Sequence, residues 1–188
     1  MRSEVWSRDG WLKGVRRINS DNFGMRPAAT EVSLVVIHNI SLPPGEFGGD
    51  GVEHFFTNRL DPAAHPYFAS IADLQVSAHF FLRRDGEIVQ FVAADHRAWH
   101  AGTSVWRGRS DCNDFSIGIE LEGADEIPYA TVQYEQLNAL LLAVCQRYPI
   151  RDVAGHCHIA PGRKSDPGQA FDWDALRQGF PGLSFPDR

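Results

Sequence analysis

The stretch GHCHIAPGRKSDPG (155–168) brings imidazole, thiol, ammonium and carboxylate side chains together in one short segment. Pro161, Gly162, Pro167 and Gly168 break any regular helix there, so its polar groups belong at the surface of a scaffold and not in a core. The inventory His156, Cys157, His158, Lys164 and Asp166 suits a metal site. Imidazole and carboxylate are two of the three ligand types that zinc accepts, and a catalytic zinc keeps three protein ligands plus a water. A further ligand must come from elsewhere, and His38 is a candidate, since it ends the most apolar run in the chain, SLVVIHN (33–39). If His156 to His158 is extended, its two imidazoles point to opposite sides, so only one can reach a metal shared with His38; spacing alone does not choose between them. Cys157 points away from that side and reads as a small buried residue with an inert thiol, in preference to a ligand.

These groups need elements to hold them. Leu34 to Ile37 are apolar on both faces, which predicts a strand buried in a sheet covered on each side, with His38 at its carboxyl end, where ligands gather in open α/β sheets. DFSIGIELEG (114–123) reads as a second inner strand, with Ile117, Ile119 and Leu121 on one face and Gly118, Glu120 and Glu122 on the other. A carboxylate between Ile119 and Leu121 needs a reason. Glu is almost never fully buried unless paired, so Glu120 faces either a salt-bridge partner or a place where a proton is handled, whereas Glu122 is expected in solvent. VSAHFFLRRDGEIVQFV (76–92) predicts a hairpin with a type I′ turn at Asp85-Gly86, making the sheet mixed. It places a hydrogen-bonded, half-buried His79 on the face of Ser77 and Phe81. His100, in AWHAG (98–102) beside Trp99, could line a pocket or simply pack.

Tyr134, Leu137, Leu141, Val144, Cys145 and Tyr148 recur at helical spacing and predict an amphipathic helix from about Thr131 to Arg147, with Cys145 in the core. A short helix is expected from about Val52 to Arg59, after a Pro/Gly loop (41–51) that could border a groove. A terminal helix from roughly Trp173 to Gln178 would take Asp172 as N-cap. Residues 1–32 form an arm whose Trp6, Trp11, Val15 and Ile18 can lie over a core edge.

At 188 residues, 43% hydrophobic and 22% charged, the chain is expected to be one domain (1–188) of α/β type, more fully a central mixed β-sheet flanked by helices. A net charge of −6 removes the basic stripe that nucleic acid or an anionic membrane would require, so neither is an expected partner. No apolar run approaches a membrane span, and residues 1–11 lack the apolar core of a signal peptide. Three cysteines without CxxC spacing (Cys112, Cys145, Cys157) point to reduced thiols and a cytoplasmic location.

HNIS (38–41), SAHF (77–80), RDGEIVQ (84–90), AWHAG (98–102), CNDFSIGIELEG (112–123) and GHCHIAPGRKSDPG, in this order and spacing, resemble the cytoplasmic zinc-dependent N-acetylmuramoyl-L-alanine amidases of the type 2 family. The resemblance runs from about Trp11 to Trp173. It implies a mixed sheet flanked by helices, in the fold that phage lysozyme-type amidases and peptidoglycan recognition proteins share. By position, it implies Zn2+ held by His38, His156 and Asp166, with Glu120 and Lys164 as the catalytic pair and His158 without a metal role. Asn39, Trp99 and His100 become candidate contacts for a muropeptide substrate. Gln75 and Asp111 stand where some relatives carry arginines that could meet stem-peptide carboxylates, and Ala130 replaces a helix-capping Thr, a role Thr131 could assume.

The implied reaction is hydrolysis of the amide between the lactyl group of (1,6-anhydro-)N-acetylmuramic acid and L-alanine. It would be carried out by a monomeric enzyme of cell-wall recycling, with an indirect influence on β-lactamase induction. Two alternatives stand beside it. A lytic amidase of intact wall would normally carry an export signal or a wall-binding module, and a non-catalytic peptidoglycan-binding protein is expected to have lost a zinc ligand.

Overall fold

The computed structural model describes residues 5–186; the expected arm therefore lies outside the described residues for positions 1–4. The strands are β1 (Arg16–Arg17), β2 (Phe23–Gly24), β3 (Leu34–Ile40), β4 (Phe80–Leu82), β5 (Ile88–Gln90), β6 (Arg97–Ala98), β7 (Val105–Trp106), β8 (Arg109–Ser110), β9 (Ser116–Glu122) and β10 (Asp152–Gly155). The helices are α1 (Gly51–Phe56), α2 (Pro66–Ile71), α3 (Thr131–Arg147), α4 (His156–Ile159) and α5 (Asp174–Arg177). Six strands form the central sheet in the order β1-β5-β4-β9-β3-β10. β10, β3, β9 and β4 run parallel, and β5 turns back antiparallel to β4, so the sheet is mixed as the sequence predicts.

The pleat sorts the side chains. Val35 and Ile37 of β3 join Ile117, Ile119 and Leu121 of β9 in a cluster packed against Leu137, Leu140, Leu141 and Val144 of α3. The opposite face carries His38 and Glu120, which the β3–β9 register places side by side. On that face Phe81 and Val89 pack with Phe55, Phe56 and Phe68 of α1 and α2. Trp6 brings the arm into the α3 side of the core, its indole N–H donating to the Ala143 carbonyl at 3.1 Å.

α3 covers the predicted span, but its first turn is held differently. Thr131 does not cap it; Gln133 Oε1 accepts the Ala130 N–H at 3.0 Å, while the Gln133 amide donates to the carbonyls of Leu82 and Glu122. α1 ends at Phe56, short of the expected Arg59, and α2 has no counterpart in the sequence reading. α5 is shorter than expected at both ends, yet Asp172 Oδ1 accepts the Asp174 and Ala175 N–H groups as an N-cap would.

The turn chemistry at Asp85-Gly86 also differs. Gly86 alone has positive φ, and the Arg83 N–H pairs with the Glu87 carbonyl, which leaves a three-residue loop and not a two-residue type I′ turn. The two-residue turn with φ positive at both positions occurs instead at Arg107-Gly108, between β7 and β8. Glu122 corrects another expectation. It is 3% exposed, its oxygens accepting the N–H groups of Gly48 (2.6 Å) and Arg84 (2.9 Å), which ties the 41–51 loop to the hairpin.

Candidate active site

Register builds the site. Gly155 at the end of β10 pairs with Ile37, so His156, the next residue, emerges beside His38, and His38 pairs in turn with Glu120. Three neighbouring parallel strands thus deliver three reactive side chains to one sheet edge at their carboxyl ends, where α/β sheets bind ligands. The segment after β10 is not extended, as supposed for the His156/His158 argument, but makes one helical turn, α4, before Pro161. His158 turns back on this segment, where its Nδ1 accepts the Gly155 N–H at 2.9 Å and its ring packs edge-on to Trp173. The chain then returns to bring Asp166 over the sheet edge, with Asp166 O accepting the Cys157 N–H and Pro167 O accepting from Tyr129 Oη and Asn39 Nδ2.

His38 Nδ1 lies 3.0 Å from His156 Nδ1 and 3.0 Å from Asp166 Oδ2, and His156 Nδ1 is 3.2 Å from the same oxygen. Among the described residues this is the group of His, Cys, Asp and Glu side chains disposed to hold a metal ion. The chemistry of the donors fits a cation. His156 Nε2 is 3.0 Å from the Ala101 carbonyl, which can only accept, so the proton sits on Nε2 and Nδ1 presents a lone pair to the other two ligand atoms. Burial pushes His38 down to about 4, despite the opposing pull of Asp166. Burial pushes the Asp166 carboxyl up, but the two imidazoles beside it outweigh that and hold it below the ordinary carboxylate range. Neutral imidazole and ionised carboxylate are the ligand forms of these residues.

Glu120 is 8% exposed, and its Oε2 has no hydrogen-bond partner among the described residues. Burial, reinforced by Asp166, raises it well above the usual carboxylate pKa, while Lys164 opposes the shift. No ion pair joins Glu120 to Lys164 among the described residues, so the salt-bridge alternative for Glu120 does not hold. Lys164 is exposed at the mouth of the same cleft.

The cleft, of about 430 Å³, is lined by His38, His156 and Asp166, by Glu120 and Lys164, by the start of the 41–51 loop, and by Tyr67, Ile71 and Trp99. Its volume is that of a site for a small molecule. Asn39 and His100 line it too, but both have protein partners: Asn39 Nδ2 donates to Asp125 Oδ1 at 2.8 Å, and His100 Nδ1 is 2.9 Å from His38 Nε2. Gln75 and Asp111 are exposed and line no part of the cleft. His79 is fully buried, not half-buried; its Nδ1 accepts the Gly118 N–H and its Nε2 meets the His96 carbonyl. Sequence reasoning missed Asp125, which shares the cleft wall. Its only signal is a carboxylate in the loop just beyond the predicted inner strand.

The family model for N-acetylmuramoyl-L-alanine amidase matches residues 28–169. The 1,6-anhydro-N-acetylmuramyl-L-alanine amidase AmpD of Citrobacter freundii is 57% identical over 171 residues, covering 90% of this chain and 91% of that protein. A crystal structure of a selenomethionine derivative of AmpD superposes with a TM-score of 0.87 at 55% identity, covering 91% of this chain and 97% of that one. The amidase AmiD of Escherichia coli, solved with anhydro-N-acetylmuramic acid-L-Ala-D-γ-Glu-L-Lys, has a TM-score of 0.58 at 29% identity, covering 96% of this chain and 66% of that one.

Proposed function

This chain belongs to the N-acetylmuramoyl-L-alanine amidase family and is a hydrolase, and from that premise we propose a zinc-dependent, recycling 1,6-anhydro-N-acetylmuramoyl-L-alanine amidase. The observation that carries this reading is the convergence of His38 Nδ1, His156 Nδ1 and Asp166 Oδ2 within 3.2 Å of one another, beside a buried, unpaired Glu120. All three ligands are intact, which counts against a non-catalytic binding protein.

These three residues would hold zinc, which when bound supplies Lewis acidity, bringing a water towards a pKa of about 7 and polarising the scissile carbonyl. The chain's own groups do the rest. With zinc bound beside it Glu120 would be ionised, so that it would take the proton of the attacking water and pass it to the departing L-alanine nitrogen. The Lys164 ammonium, with no carboxylate partner among the described residues, stabilises the oxyanion of the tetrahedral intermediate. Trp99 and the 41–51 loop form the wall against which the sugar end of the muropeptide packs, and Asn39 and His100 complete the floor.

The reading includes a single amidase domain over 1–188, a monomer, and a cytoplasmic location. Unpaired Cys112, Cys145 and Cys157 support a reducing compartment. Among the described residues, no helix is long and apolar enough to cross a membrane. The substrate is a soluble fragment carrying the 1,6-anhydro sugar. The decisive experiment assays purified protein, with and without chelator, on soluble anhydro-muropeptide, its reducing-sugar analogue and intact sacculi. Chelator-sensitive cleavage, with kcat/KM for the anhydro form at least about 10-fold above the reducing form, supports the reading. Equal values, or efficient release of peptide from sacculi, would reject recycling in favour of wall lysis.

A further inference from the structure

The two imidazole ligands are held from behind in different ways. His156 Nε2 faces a carbonyl, that of Ala101 at 3.0 Å, whereas His38 Nε2 faces a second imidazole nitrogen, His100 Nδ1 at 2.9 Å, which can either donate or accept. The far end of His100 resolves the choice. Its Nε2 lies 3.1 Å from Ser116 Oγ, and the Ser116 hydroxyl is 2.6 Å from the Cys112 carbonyl. A carbonyl has no proton to give, so Ser116 donates to Cys112 and accepts from His100 Nε2–H. His100 Nδ1 then carries a lone pair and accepts from His38 Nε2–H. His38 Nδ1 is left with its own lone pair facing His156 Nδ1 and Asp166.

One more side chain holds this arrangement. Asn113 Oδ1 accepts the N–H groups of both His100 (3.0 Å) and Ala101 (2.8 Å). The His100–Ala101 segment backs both imidazoles at once, His100 through its ring and Ala101 through its carbonyl. Gly118 makes room for that ring, since a Cβ there would lie 2.4 Å from it. Ser116 and Asn113 are buried and line no part of the cleft.

We infer that His100, Ser116 and Asn113 are positioning residues that fix the tautomer and ring orientation of the metal-ligating histidines, through a one-way hydrogen-bond chain ending on the Cys112 carbonyl. The inference rests on the metal-site reading above, and its test separates the two. In 15N-labelled protein, long-range 1H–15N correlation spectra report which ring nitrogen of His100 bears the proton; the chain requires Nε2, with or without zinc.

Zinc affinity, measured by competition with a chromogenic chelator, should fall by about 10- to 100-fold in Ser116→Ala and His100→Leu, the range for loss of such a supporting contact. His100→Asn, whose amide oxygen can replace the Nδ1 acceptor, should bind zinc more tightly than His100→Leu. Thermal unfolding in chelator shows whether each variant folds, and if one does not, the tautomer of the parent protein decides. A proton on His100 Nδ1, or parent-like zinc affinity in Ser116→Ala, overturns the inference. A parent protein that binds no zinc rejects the metal reading itself, while the direction of the chain is still read from the metal-free spectrum.

Discussion

At the scale of single residues, three side chains disposed to hold a metal stand apart from the buried carboxylate to which we assign the proton. His38, His156 and Asp166 present their ligand atoms to one another, whereas His158 is engaged with the Gly155 N–H. Metal analysis should therefore find zinc lost from His38→Ala, His156→Ala and Asp166→Ala and kept by His158→Ala. Full occupancy in Asp166→Ala would show that the third ligand is another group. Glu120 is outside this set, and Glu120→Gln should keep both zinc and fold. General acid–base groups contribute about 10²- to 10⁴-fold, so its turnover should drop by at least the lower figure. Turnover close to the parent's would move the proton to a different residue.

Elements set these residues in place, and the same elements show what was legible in sequence. β3, β9 and α3 were readable because each writes its burial into local period: unbroken apolar residues for Leu34 to Ile37, alternation for Ile117 to Glu122, helical spacing for Leu137 to Val144. β1, β2 and β10 were not, since two to four residues carry no period and their pairing is set by partners far along the chain. The proposed metal ligands and Glu120 could be named from residue types and family motifs, but not the contact of His100 with His38 or of Glu122 with the 41–51 loop. Both contacts join segments distant in sequence.

Gly118 is a case where the element matters more than the residue. As a glycine within a strand it looks like a weak point, yet its missing Cβ accommodates the His100 ring. Gly118→Ala should destabilise the protein by about 1–3 kcal/mol through overpacking, and should weaken zinc binding as well. Chemical denaturation and chelator competition on the same variant test both halves. A drop in stability with unchanged zinc affinity would mean that the His100 ring can shift without disturbing His38.

For the molecule as a whole, the buried titratable groups set how stability responds to acid, and they do not all act in one direction. Burial pushes His79 down to about 3, helped by the nearby Arg26 guanidinium; it pushes His38 to about 4 and His100 well below the usual histidine value. For each of these the unfolded chain binds a proton below about pH 6.5 that the folded protein refuses, so stability is lost as pH falls. At pH 5.5 the loss is on the order of 1 kcal/mol for each of them.

Glu120 acts in the opposite sense. Its folded pKa is raised, so the folded protein binds the extra proton, and lowering the pH relieves a cost. With zinc removed by chelator, these three histidines and the half-buried His158, also lowered by burial, oppose one glutamate, and unfolding free energy from urea titrations should be lower at pH 5.5 than at pH 7.5. Replacing Glu120 by Gln removes the opposing group. The Glu120→Gln protein should be the more stable of the two at pH 7.5 and should lose stability more steeply on acidification. Equal slopes for parent and variant would show that Glu120 is not held neutral by burial, and a flat profile for both would show that the folded protein accepts protons on these imidazoles.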